Sequence, residues 1–293
     1  MGDESNNNIT LSKDAVYGSV IVVLFGLFIM SVFTQGFGLV GAAPCECPEA
    51  EQQVPDDTTE LKDSDDIELG DAEPAEEGLQ QLTVDGGGRP FKGDEDAVVS
   101  LVHFSEFPCP YCSMFYANTE GELKTNYIDT GKMKFYFRDY IVHPVPAVQA
   151  AQAARCAEAQ GYYWEMHDKL FETRDTWVQV ENVTPTFIGY AAELGLDNET
   201  FTTCFSDPEA YFDDIILDME AGQNAGVGGT PSSFLVIPKS SVELSDLQAA
   251  VDSVNAEYGV DLPIYENDNE YTIFIVGAYP YEAFDTILST VSY

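Results

Sequence analysis

An apolar, strand-like run from Ala97 to Phe104 leads into Cys109-Pro110-Tyr111-Cys112, which opens a helix-compatible stretch from Ser113 to Tyr127. Two cysteines at this spacing lie within one helical turn and can open and close a disulfide there, so strand, loop and helix start must follow in that order. A cysteine at a helix start faces unpaired backbone N–H groups and the positive end of the helix dipole, which both favour thiolate. Cys109 is therefore the expected nucleophile, with a pKa below the free value of about 8.5, and Cys112 the shielded resolving thiol. The alternative is half of a zinc site, which needs a second ligand pair. Cys45 and Cys47 lie in a different kind of segment, and Cys156 and Cys204 are isolated, so no metal is expected.

The segment from Val98 to Tyr116 resembles the strand, active-site loop and helix of DsbA-like thiol-disulfide oxidoreductases, a branch of the thioredoxin-fold superfamily. Further stretches extend the likeness over residues 93–293: Phe135 to Tyr140 as the next strand, Ala147 to Phe171 as inserted helices, and Gly229-Thr230-Pro231 as the cis-proline loop. Val276-Gly277-Ala278 and Tyr281 to Val291 resemble the last strand and helix. The resemblance implies an α/β thioredoxin-like fold with an inserted helical subdomain near 144–226, no cofactor, and substrates that are thiols of exported proteins. It assigns attack to Cys109 and resolution to Cys112, and makes Thr230-Pro231 the backbone edge that holds an extended substrate beside the disulfide. It also implies a reoxidising membrane partner, quinone-linked and of the DsbB or VKOR type.

Many members carry a buried acid six positions before the first cysteine, where this chain has His103. On a strand His103 shares a face with Leu101 and Val99. A neutral imidazole there is a candidate proton shuttle for Cys112, and a protonated one would favour the thiolate; a purely packed core histidine is the other reading. Glu106 reads as a solvated loop residue, and His143 as a loop histidine. Between the cysteines, Pro110 removes a backbone donor and suits the first helical position, while Tyr111 adds an aromatic rim without positive charge.

Six cysteines are even in number, and one pairing joins Cys109 to Cys112, Cys156 to Cys204 and Cys45 to Cys47 among the 15 that six allow. Cys156 and Cys204 both fall in the helical insertion, where a structural disulfide would mark an oxidising compartment; two buried free thiols are the alternative.

The compartment is also read from the N-terminus. Ala15 to Phe33 is uncharged and mostly apolar, long enough to span a membrane and longer than a cleaved signal's core. The expected layout is a cytoplasmic tail at 1–14, a transmembrane signal anchor at 15–43, an acidic linker at 44–88 and an extracytoplasmic domain at 89–293. Glu46 to Glu77 holds 14 Asp or Glu against Lys62 alone, with no aromatic residue, a composition that repels itself and buries little.

The acid excess continues beyond the linker, with a net charge of −39 for the whole chain. Such self-repulsion is screened at about 1 M salt, where the Debye length is about 3 Å, so the chain looks like a halophilic, archaeal protein. Nucleic-acid binding is disfavoured for want of a basic patch to neutralise phosphates. Strand-like runs are expected at Val98 to Ser105, Lys134 to Tyr140, Ser233 to Ile237 and Tyr271 to Val276. Three functions fit this reading: an oxidase that introduces disulfides, a reductase or isomerase of the same fold, and a binding or chaperone module whose cysteines are structural.

Overall fold

A computed structural model describes residues 82–293. The expected tail, the 15–43 apolar span and the 44–88 linker as far as residue 81, with Cys45 and Cys47, lie outside the described residues. No helix among the described residues is long and apolar enough to cross a membrane.

Six strands form one sheet in the order β1-β3-β2-β4-β6-β5. They are β1 (Phe91–Lys92), β2 (Val99–Ser105), β3 (Met133–Asp139), β4 (Ser232–Pro238), β5 (Ile264–Glu266) and β6 (Glu270–Val276). β2 is central, parallel to β3 and antiparallel to β4. Its composition suits that place, because a strand covered on both faces needs apolar residues on both. Val99 and Leu101 enter the larger core, under the helices of one face, while Val102 and Phe104 enter a smaller core with Val227 and Phe234. Val84 is buried in this smaller core and Leu82 packs against it. The folded unit thus reaches upstream of the expected boundary at residue 89, because two apolar side chains at the linker's end find a sheet face to cover.

The helix after β2 begins as α1 (Pro110–Phe115), runs through a π-type turn at Tyr116–Glu120, continues as α2 (Gly121–Leu123) and ends in a second π-type turn at Lys124–Ile128. The insertion follows β3: α3 (Pro144–Glu158), α4 (Tyr163–Glu172), α5 (Arg174–Trp177), α6 (Thr184–Leu194), α7 (Asn198–Phe205) and α8 (Phe212–Asn224). α9 (Leu244–Tyr258) and α10 (Tyr281–Leu288) complete the chain. α6 ends at Gly195, whose φ of 83° lies where only glycine sits freely. Asp197 then caps α7 by accepting from the Thr200 N–H at 2.8 Å. The insertion has its own core, built on alanines of α3 with Trp177, Phe187 and Phe201, and Cys109 and Cys112 belong to that core rather than to the sheet's.

Within it Cys156 and Cys204 form a disulfide across a sequence separation of 48 residues. Closing a loop of that size is worth about 4 kcal/mol in the chain-entropy account. Cys156→Ala with Cys204→Ala should therefore lower the unfolding free energy by about that amount and steepen its denaturant dependence, because the unfolded chain loses its crosslink and expands; an unchanged unfolding free energy would show that the bond restrains nothing.

One buried charge cluster ties these parts together. The Asp218 carboxylate, fully buried on α8, accepts from Arg89 Nε at 2.9 Å, Arg138 Nε at 2.7 Å and Arg155 Nη2 at 2.8 Å. Arg155 also reaches Asp139 Oδ2 at 2.8 Å, and Arg89 reaches Asp214 Oδ1 at 2.8 Å. Burial comes first in raising the Asp139 carboxyl above the ordinary range, and Arg155 opposes it. Three of the chain's four arginines converge here.

Candidate active site

The site forms where β2 ends. The register that sets His103 opposite Ser233 and Phe104 opposite Ser232 brings the start of β4 level with the end of β2. The Gly229-Thr230-Pro231 loop thereby falls beside the residues that follow β2. The Thr230-Pro231 bond is cis, and the Thr230 carbonyl oxygen accepts from Cys109 Sγ at 3.5 Å.

Cys109 caps α1 in an extended conformation, Pro110 occupies the first turn, and the Ser113 N–H donates to the Cys109 carbonyl at 3.1 Å. Proline fits there because the first-turn N–H groups have no helical acceptor to lose. Both thiols are free and almost fully buried, whereas Tyr111 is 61% exposed and Met114 49%. Cys109 titrates well below an ordinary thiol, at about 6. The hydrogen bond from the Cys112 thiol does most to lower it; burial opposes, and the N–H groups of Cys112 and Tyr111 assist. Cys112 is pushed well up, first by burial and then by its role as donor to Cys109. The two shifts describe one shared proton, which stays on the inner sulfur.

Beneath Cys112 lies Ser105, whose buried hydroxyl has no hydrogen-bond partner while Cys112 is a thiol. That hydroxyl and the Glu106 backbone N–H are the groups that would stabilise a Cys112 thiolate.

His103 is buried, with Nδ1 at 2.8 Å from Ser233 Oγ and its ring stacked on Phe115 at 4.1 Å. Burial, with His167 adding a smaller effect, lowers its pKa to about 3. The imidazole is thus neutral at physiological pH, which removes the expectation that a protonated His103 favours the thiolate. A role in carrying the Cys112 proton as a neutral base stays a proposal, and the hydrogen bond described for this ring is to Ser233 rather than to a cysteine.

Glu106 corrects the sequence expectation most clearly. It is buried, because its carboxylate meets backbone donors of the loop after β3: Oε2 accepts from the Val142 N–H at 2.9 Å and the His143 N–H at 3.0 Å. Oε1 accepts from His143 Nδ1–H at 2.5 Å and from the Thr230 hydroxyl at 3.4 Å. His143 is thus partnered by the active-site loop. Arg174 on α5 was also missed; its Nε and Nη2 donate to the Pro108 carbonyl at 2.8 and 2.5 Å. Arginine is rare enough in this chain that each one invites the question of what it holds.

Glu120, His167 and Asp168 cluster closely enough to suggest metal ligands. The Lys92 ammonium already lies 3.0 Å from both Glu120 and Asp168, so a cation built into the chain serves that cluster.

Three comparisons bear on this geometry. A family model described as Thioredoxin matches residues 86–253. Disulfide bond formation protein D of Bacillus subtilis is 29% identical over 152 residues, covering 50% of this chain and 68% of that protein. A Na(+)/H(+) antiporter of Salinispora tropica, NhaA 3, is 31% identical over 147 residues, covering 49% of this chain and 21% of the antiporter. The chain thus spans about a fifth of that relative's length. Among solved structures, alpha-DsbA1 of Wolbachia pipientis superposes with a TM-score of 0.52 at 23% identity, covering 68% of this chain and 88% of that one, a likeness of fold.

Proposed function

This chain belongs to the thioredoxin family and is an enzyme of thiol–disulfide exchange, and on that premise we propose that it introduces disulfides into exported proteins through the Cys109/Cys112 couple. The observation that carries the oxidising direction is the depressed Cys109 pKa beside a raised Cys112. A stabilised thiolate favours the reduced form of the enzyme, and an enzyme that prefers to be reduced is an oxidant. In the forward reaction a substrate thiolate attacks Cys109 Sγ, the Sγ–Sγ bond breaks, and Cys112 leaves with the electron pair and takes a proton. A second substrate thiolate then attacks the substrate sulfur of the mixed disulfide, which releases Cys109 as thiolate and the substrate as a disulfide. With a pKa of about 6, Cys109 is the better leaving group of the two enzyme sulfurs in this second step.

The sign of the pH dependence follows. The folded pKa of Cys109 lies below that of a free thiol, so the stabilisation of the reduced state is complete above about pH 8.5 and is lost as the pH falls through about 6. Alkylation of Cys109 should rise through pH 6 and level off near neutrality.

The reduction potential, measured in about 1 M salt, tests the direction. A value well above that of thioredoxin, about −270 mV, is expected; a value near or below it would favour the reductase or isomerase reading.

The placement is part of the same proposal. The apolar 15–43 run supports a single membrane anchor with the catalytic domain outside the cytoplasm, and the acidic 44–88 stretch supports a tether between them. The net charge supports work in high salt. Regeneration of the disulfide needs an electron acceptor, for which we propose a quinone-linked membrane protein of the DsbB or VKOR type. Thr230, Pro231, Pro110 and Tyr111 are the proposed substrate-facing residues. Support for Thr230 is its carbonyl beside Cys109, and for Tyr111 its exposure next to the couple.

A further inference from the structure

Glu106 is a buried carboxylate that the exchange chemistry does not consume, yet its four hydrogen bonds run to the Thr230 loop, which meets Cys109 Sγ, and to the loop after β3. Each oxygen takes two donors. Oε2 holds the Val142 and His143 backbone N–H groups, and Oε1 holds the His143 ring and the Thr230 hydroxyl. The Cys109 N–H in turn donates to the Glu106 carbonyl at 3.4 Å, so the residue is fastened at its backbone to the nucleophile's own loop. One side chain therefore joins the loop before Cys109, the loop after β3 and the Thr230-Pro231 loop. The loop after β3 presents Val142, 48% exposed, and the start of α3 presents Val145, 75% exposed, an apolar rim next to the residues that Glu106 grips. The Thr230 loop presents the carbonyl that meets Cys109 Sγ.

Burying a carboxylate without full partners is costly, so its retention here needs the donors around it. The surroundings of Glu106 supply four donors and no lysine or arginine among its described partners, and the ring that meets it is that of His143, half-exposed at the rim. That is the wiring of a brace for loops, and it differs from the arginine cluster at Asp218, which holds secondary-structure elements away from the sulfurs.

We propose that Glu106 is a positioning residue for thiol–disulfide exchange: its carboxylate sets the distance between the Val142–Val145 rim and the Thr230 backbone, and so the width of the channel in which a substrate chain lies across Cys109. This rests on the reading of Cys109 as the sulfur under attack. The role predicts an effect on capture of the substrate rather than on the sulfur chemistry itself.

Glu106→Gln keeps the shape but removes the charge and turns one acceptor into an NH2 group, which meets two backbone N–H groups in one orientation and, in the other, requires the Thr230 hydroxyl and His143 Nδ1 to turn and accept. Stopped-flow mixing of the oxidised full-length protein with a reduced two-cysteine peptide gives a half-saturating peptide concentration and a limiting rate. In E106Q the half-saturating concentration is expected to rise about tenfold, as the weakening of four charge-assisted hydrogen bonds allows, while the limiting rate moves by less than about threefold. His143→Ala removes one donor from an exposed position, and should raise the half-saturating concentration about threefold. The double variant should fall short of the product of the two, because both act on one carboxylate.

A limiting rate that falls with no change in half-saturation overturns the proposal, as does a double variant whose effect equals the product. If E106Q fails to fold, H143A decides alone, and an unchanged half-saturating concentration rejects the idea. Wild-type protein that shows no exchange with the peptide overturns the reading of Cys109 and this proposal together, whereas wild-type exchange with E106Q indistinguishable from it overturns this proposal only.

Discussion

Cys109→Ser is expected to stop disulfide transfer to a reduced substrate, a fall on the order of a thousandfold or more, because a serine hydroxyl is neither a thiolate nor able to hold the disulfide. Cys112→Ser should behave differently. It leaves the Cys109 thiolate without its internal partner, so Cys109 attacks disulfides of other proteins and remains joined to them. Non-reducing gels of C112S should show adducts that vanish with reductant, and the C109S protein should show none. The contrast separates an exchange couple from two structural thiols, since structural thiols would give the same result in both variants. The Thr230 and Tyr111 positions near the outer sulfur, against the buried Ser105 beneath the inner one, give the physical reason for the asymmetry. Equal oxidation rates in C109S and wild type would remove the assignment.

The largest expected loss of stability comes from Asp218→Asn. The substitution keeps the volume but removes the charge at which Arg89, Arg138 and Arg155 meet, and an amide offers one acceptor where the carboxylate offers two. Breaking a buried pair by removing one partner costs about 3–5 kcal/mol. With three guanidinium groups affected, the upper end, about 5 kcal/mol, is expected. That is a large share of the roughly 5–15 kcal/mol that holds a domain together. Denaturant melts followed by circular dichroism measure it. Added salt should not restore the loss, since buried pairs are screened far less than exposed ones. A D218N midpoint equal to wild type would mean that Asp139 and Asp214 carry the cluster without Asp218.

Some of this was legible in the residues and some was not. The four long strands and the order strand, C-x-x-C, helix could be read because β-branched and aromatic runs report burial on both faces. The short β1 and β5 could not: two or three residues carry no period, and only pairing with β3 and β6 defines them. α7 was also missed, although Asp197 ahead of Thr200 is a capping signal that could have found it. The two π-type turns after α1 each add a residue to the helical repeat, so a 3.6-residue period cannot describe that helix.

At the site, the cysteines and Thr230-Pro231 were legible as local motifs. Glu106 was misread because polar loop residues are usually solvated, and what buries it is a pair of backbone N–H groups some 36 residues away in sequence. His103 stands six positions before Cys109, where the family resemblance led to the expectation of an acid, while the buried carboxylate of Glu106 stands three positions before it. Nothing local distinguishes Arg89, Arg138 and Arg155 from surface arginines, because their meeting at Asp218 exists only in three dimensions.

The grip of Arg174 on the Pro108 carbonyl has a consequence for how such an enzyme can be taken apart. Arg174 belongs to the insertion, and Pro108 is the residue before the nucleophile; the two cysteines share a core with Phe171, Trp177 and Phe187, to which the sheet contributes Phe137. Insertion and sheet are thus not separable modules, one bearing the chemistry and the other ornamenting it. A trimmed chain that kept the six strands and discarded the helices would keep both cysteines and lose the wall they lean on, and a chimera that borrowed the insertion from a relative would inherit that relative's reactivity along with its helices. In this architecture the reactive sulfur is a property of a junction, so its tuning is inherited from both sides at once.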